Sequence, residues 1–247
     1  AWSRAGIIFG PYSRYSMYSH GALIANTEDY FAGMPWGKVS ESDYNYAPKV
    51  YQGSMDRVCI WNVPYLMELT DPVNQIGYPR TVHPAFFIEE TLLNRVEANI
   101  MLKRYDEAVK DLNLWAANTF KSSKPFTKED IVKFINGTAY YTWMTPTIKK
   151  HINPVFEIDE EGSDQEAMIQ FLLYIRKIEF NGLGYRWFDI KRFGIEIERR
   201  MISENGDVAE VTDVLTVNDP RRAIQIPLKV RSAGLAGNPR ERALETG

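Results

Sequence analysis

The chain has 247 residues, a hydrophobic fraction of 45%, a charged fraction of 25% and a formal net charge of -3. These are ordinary globular values, so disorder is not the default, and the length suffices for a sizeable core in one domain or at most two. Near-neutral charge without a long basic run argues against nucleic acid as the main partner. Cys59 is the only cysteine, which excludes an intrachain disulfide framework and a multi-cysteine metal site.

The longest apolar runs are far too short to span a bilayer, and Cys59 sits in DRVCIWNV without the charged leader and apolar core of a lipid-attachment site. The chain opens on AWSRAG, with neither methionine nor targeting segment, so the expectation is a fragment or processed piece.

The first 51 residues are loop chemistry. Tyr12, Tyr15, Tyr18, Tyr30, Tyr44, Tyr46 and Tyr51 are half of the 14 tyrosines, and with Trp2, Trp36 and Phe31 they alternate with Gly, Ser, Asn and Pro instead of following a helical period. Rigid rings among small polar residues suit flat, hydroxylated ligands, because a ring face covers a sugar's C–H face while Asn, Asp and Arg pair its hydroxyls. The alternative is that the rings pack on one another within long irregular loops. Tyr12, Tyr15, Tyr18 and Trp36 are the ligand-binding candidates. Residues 54 to 70 read as a short extended segment and a short helix interrupted by Pro64, and DPVNQIGYPRTVHP as an exposed, turn-rich connection.

Helix begins in earnest at Phe86. Ile88, Leu92, Val96 and Ile100 make one row, Lys103 and Arg104 break it, and Tyr105, Ala108, Val109, Leu112, Trp115 and Ala116 start a second. A connection of a few residues forces the two helices antiparallel, a tetratricopeptide-like pair at about residues 87 to 117. No second copy follows at a period near ~34 residues. Thr127 and Asp130 cap a short helix through Ile135 that stops at Asn136 and Gly137. AYYTWMT, from Ala139 to Thr145, adds another aromatic cluster before a loop to Pro154. The run Asp159, Glu160, Glu161 suits the positive end of the following helix, and adjacent acids are more often solvated than a calcium or glycosidase site.

The organising stretch runs from Ser163 to Gly194. Ser163 and Glu166 have capping-box spacing, and Met168, Phe171, Leu172, Ile175 and Ile178 then recur at helical intervals, which predicts one long amphipathic helix ended by Asn181 and Gly182. Tyr185 to Phe193 then packs aromatic rings around Arg186, Asp189, Lys191 and Arg192. Glu179, Arg186, Asp189 and Arg192 are either a ligand site or ion pairs that leave a half-buried helix corner no unpaired charge, and the second reading is favoured. Beyond Gly194, IEIERRMIS and DVAEVTDVL flank Glu204, Asn205 and Gly206 as a hairpin.

The ordered set Arg176, Glu179, Gly184, Arg186, Trp187, Asp189, Lys191, Arg192 and Gly194 resembles the C-terminal signature of the SusD/RagB family, the glycan-capturing outer-membrane lipoproteins of Bacteroidetes-type bacteria. Glu90, Thr91, Leu93, Arg95, Glu97 and Ala98, then Tyr105, Ala108, Asp111, Leu112 and Asn113, resemble its ETxLxRAEA and YxxAxxDLN helices, with Val96 in place of the usual alanine. Ile226 and Pro227 resemble its closing "PIP" segment, and Asn238 and Pro239 the Asn-Pro after it. RERALETG departs from the family's usual ending. The resemblance covers most of Phe86 to Pro239.

The resemblance implies one mainly α, SusD-like domain, with a tetratricopeptide-like helical hairpin, long irregular loops and a small β-hairpin. It would be the C-terminal portion of a longer chain, loop-rich over 1–85, a helical scaffold over 86–194, and a hairpin and closing segment over 195–247. Arg95, Glu97, Glu179, Arg186, Trp187, Asp189 and Arg192 would be its structural signature. It implies a non-catalytic glycan binder facing outward at the outer membrane, delivering ligand to a TonB-dependent, SusC-like transporter. It implies no cofactor or metal, and membrane attachment only through a lipid anchor outside this sequence. Family chains carry further helical pairs, so exposed apolar helix faces would need another segment to cover them.

Enzyme readings are weaker. His20, His83 and His151 are scattered, and HExxH, GxSxG, Walker A and GxGxxG are absent. A glycoside hydrolase needs only two carboxylates at the right separation, which 32 acidic residues leave open, and it stands as the alternative. A helical-repeat adaptor would explain the hairpin but not the tyrosine-rich loops.

Overall fold

The computed structural model describes residues 49–52, 58–61, 65–81, 88–120, 123–142, 147–180, 184–202 and 208–239. Among them the chain is mainly helical, with six helices and three two-stranded antiparallel pairs. The described residues form two compact units, one drawn from 49–137 and 159–186 and one from 138–158 and 187–239.

The described part of the first unit begins with paired strands. β1 (Lys49–Gln52) pairs with β2 (Val58–Trp61), and β3 (Tyr65–Asp71) with β4 (Ile76–Thr81). This corrects the short helix expected after Pro64 and the irregular connection expected after Asp71. The Asp71 carboxylate accepts the N–H groups of Val73 and Asn74 at 3.0 and 3.1 Å, and Gln75 takes a positive φ of 54°, so the chain reverses within four residues. A local partner then favours strand over an isolated helical turn.

Helices α1 (Ile88–Met101) and α2 (Tyr105–Thr119) form the expected hairpin. Leu102 and Arg104 donate back to the carbonyls of Ala98 and Asn99, with Lys103 left-handed at φ 56°, which closes the connection in three residues. Helix α3 (Lys128–Asn136) carries the predicted capping box: Thr127 accepts from the Asp130 N–H while the Asp130 side chain accepts from the Thr127 N–H.

Helix α4 (Asp164–Glu179) starts where expected, with the Glu166 N–H donating to Ser163 Oγ at 3.1 Å. It is not amphipathic, however: every residue from Gln165 to Arg176 is buried. A helix buried all round is a core element, and its polar side chains must be paired. They are. Gln165 accepts from the Asp159 N–H and donates to the Ile100 carbonyl, and Gln170 donates to Glu166 at 2.8 Å. The core around α4 is Leu93, Val96 and Ile100 of α1, Leu112 and Trp115 of α2, Ile131 and Ile135 of α3, and Met168, Phe171, Leu172 and Ile175 of α4 itself. Cutting any one of these large side chains to alanine costs about 2 to 5 kcal/mol.

The second unit is smaller. RWFDIKR is helix α5 (Arg186–Arg192), followed by the hairpin of β5 (Ile197–Ile202) and β6 (Val208–Leu215), a 3-10 turn (Pro220–Arg222) and α6 (Leu228–Ser232). The hairpin falls where the sequence places it, and its Asn205-Gly206 turn lies outside the described residues. Phe193, Ile195 and Ile152 are buried, and Phe156 meets Phe193 edge to face at 5.7 Å. Between them the Asn153 N–H donates to the Phe193 carbonyl at 2.9 Å. Gly194 then turns with φ +59°, and a Cβ there would stand 1.9 Å from the Asn153 carbonyl oxygen. Only glycine fits.

Two polar centres fasten the closing segment of this unit. The buried Arg222 donates to the carbonyls of Ile190, Ile195, Leu215 and Thr216, and burial pushes its guanidinium below the ordinary arginine value. The Gln225 side chain exchanges two hydrogen bonds with the Asn238 backbone, while the Asn238 amide donates to the Ile224 carbonyl at 2.7 Å. The segments around Ile226-Pro227 and Asn238 are thereby tied together.

Candidate functional site

Tyr12, Tyr15, Tyr18 and Trp36 lie outside the described residues, as does Trp143. The signature residues can be followed one by one. In the first unit, Arg95 of α1 makes a two-pronged ion pair with Asp111 of α2, Nε and Nη2 each 2.7 Å from a carboxylate oxygen. Glu97, on a different face of α1, accepts from Arg176 Nη1 of α4 at 2.7 Å, and Arg176 Nη2 also donates to Asn94. Glu179, at the end of α4, accepts the indole N–H of Trp115 at 2.7 Å, and Arg186 reaches the Leu173 carbonyl at 3.5 Å.

Burial pushes the Glu179 carboxyl up, the Trp115 N–H partly offsets this, and Glu89 adds like-charge repulsion. Beside it Tyr185 stacks on Phe180 with centroids 4.6 Å apart and donates its hydroxyl to Glu90 at 2.8 Å. Burial, then that hydrogen bond, raise the Tyr185 phenol above its usual value. In the second unit, Asp189 is buried on α5, Arg192 lies over the Phe156 ring at 4.8 Å, and Trp187 has a buried indole nitrogen without a hydrogen-bond partner among the described residues. These contacts fix helix ends and corners.

A different arrangement stands out between Thr138 and Ile158 of the second unit. Tyr140 bridges Lys149 in parallel, the Tyr141 N–H donates to the Lys149 carbonyl at 2.6 Å, and the Thr147 hydroxyl donates to the Ala139 carbonyl at 2.8 Å. That closure sets the His151 imidazole parallel to the Tyr140 ring, centroids 4.1 Å apart at an interplanar angle of 7°. Lys149 Nζ stands 4.3 Å from the Tyr140 centroid and Lys150 Nζ 4.3 Å from the Tyr141 centroid. Tyr140 is thus braced, Lys149 is buried, His151 is exposed and Tyr141 half-exposed. The AYYTWMT stretch signals this cluster, but nothing in the sequence joins it to His151.

Rings beside ammonium groups stack on a flat ligand and hydrogen-bond its oxygens. Among the described residues no group of three His, Cys, Asp or Glu could hold a metal ion, and no helix is long and apolar enough to cross a membrane. Comparison with protein-family models, curated proteins and solved structures gives no match.

Proposed function

We propose that the chain captures a glycan at a bacterial outer surface and passes it to a TonB-dependent transporter, binding without cleaving it. The observation that carries this reading is the braced ring cluster of Tyr140, Tyr141 and His151 with Lys149 and Lys150 beside it. A pyranose presents an apolar C–H face to such a ring and hydroxyls to the flanking ammonium and imidazole groups. The SusD/RagB resemblance, with α1 and α2 read as its tetratricopeptide-like pair, supports the same class. The paired state of Arg95, Glu97, Arg176 and Glu179 supports a scaffold role for the signature and not a catalytic one.

Affinity gels loaded with candidate polysaccharides, read together with an assay for new reducing ends, test it. Retention without new ends is expected, and His151→Ala or Tyr141→Ala weakens it. Release of reducing ends that disappears on changing one or two carboxylates would replace this reading with a glycoside hydrolase.

A further inference from the structure

We propose that the groove between α1 and α2 is a carboxylate-reading subsite that selects an acidic, uronate-bearing oligosaccharide, a proposal that rests on the glycan reading above. The groove has a volume of about 820 Å³, within the range of small-molecule sites. Arg95, Asn99, Arg104, Glu107, Lys110 and Asp111 line it.

Three features give it chemistry. The first is the poise of Arg95. Its side chain is 62% exposed, yet Nε and Nη2 are held by the Asp111 carboxylate, which is 8% exposed. A buried anion behind the guanidinium fixes its plane, and Nη1 keeps its N–H donors for the groove. The ordering entropy that an exposed arginine normally loses on binding is therefore largely spent already. The second is Arg104, exposed on the α1–α2 connection. Its backbone is fixed by the Asn99 carbonyl and the Ala108 N–H, while its side chain makes no hydrogen bond or ion pair among the described residues. The third is the charge balance. Arg95, Arg104 and Lys110 face Glu107 and Asp111, Asp111 is committed to Arg95, and Lys110 reaches Glu107 only at 3.9 Å.

A phosphate, doubly charged and compact, would be repelled by Glu107 in this mixed lining. A uronate fits it better. Its single carboxylate meets the Arg95 and Arg104 donors, its hydroxyls pair with Glu107 and the Asn99 amide, and its C–H face lies on the half-exposed Leu114.

Isothermal titration of the 247-residue chain with a tetramer of galacturonic acid and with the neutral galactose tetramer of the same linkage tests this. The acidic tetramer is expected to bind about tenfold tighter, with the advantage shrinking as salt rises. Arg104→Gln, an exposed change that spares the helix, abolishes that preference, and Arg95→Lys reduces it by losing the fork. Equal affinity of the wild type for the two, or a preference that survives Arg104→Gln, overturns the groove assignment and leaves the glycan reading standing. Absence of binding to either tetramer and to a panel of other neutral glycans removes both.

Discussion

Arg176 and Glu97, 79 residues apart in sequence, meet at 2.7 Å with side chains only 10% and 9% exposed. Two charges this deep are tolerable because each answers the other and Asn94 takes a further donor. Removing one partner strands the other. Glu97→Leu alone is therefore expected to destabilise the helical unit by about 3 to 5 kcal/mol, while the double change with Arg176→Met recovers most of that loss. Urea unfolding of the single and double variants checks the coupling, and a double variant as unstable as the single change would contradict it.

Gly194 is the backbone counterpart. Gly194→Ala places a methyl against the Asn153 carbonyl in a left-handed conformation, and left-handed strain alone costs about 1 to 3 kcal/mol. The clash adds to this, so a lowered melting temperature is expected, with amide protection around Asn153 and Phe193 lost first. An unchanged hydrogen-exchange profile there would show that the loop yields without cost.

Glu179 gives a dependence on pH. Its carboxyl is raised above the ordinary 4.5, so the fold favours the protonated form. The associated stability is complete below 4.5 and lost as pH rises through the elevated folded value. Glu179→Gln keeps an acceptor for the Trp115 indole and cannot ionise. The variant is expected to out-melt the wild type at neutral pH, with the gap closing on acidification. A gap that widens in acid would reverse the sign and refute the argument.

The tyrosine-rich beginning has its own test. Tyr12→Ala, Tyr15→Ala, Tyr18→Ala and Trp36→Ala should each weaken glycan affinity by about 1 kcal/mol if the ring stacks on ligand. A buried packing ring costs about 3 to 5 kcal/mol of stability instead. Melting temperature and affinity measured on the same four proteins separate the two, and stability loss at all four without selective affinity loss would remove these rings from the proposed ligand site.

The helices were legible because their signals are local. Ile88, Val96 and Ile100 recur on one row, and Thr127 and Asp130 announce a cap that forms as read. The all-round burial of α4 was not legible: Glu166, Gln170 and Arg176 look like a solvent face until their partners arrive, and Glu97 comes from far away in sequence. Strand β3 is ambiguous in sequence because YLMELTD fits a helical turn as well as an alternation, while its partner β4 contains Gly77 and Pro79, which read as breakers. The Tyr140–His151 stack depends on closure of a loop, a tertiary event that ring composition alone does not encode.

Arg222 ties together segments that the chain makes before it. The four carbonyls it satisfies belong to Ile190, Ile195, Leu215 and Thr216, all synthesised before it. Ile190 and Thr216 also accept the N–H groups of Ile195 and Asp219, so the guanidinium is a second donor there, and a carbonyl buried with no donor at all would cost about 1 to 3 kcal/mol. The end of α5, the turn after it and the end of the β5–β6 hairpin are therefore gathered by one side chain, the last of these groups to be translated.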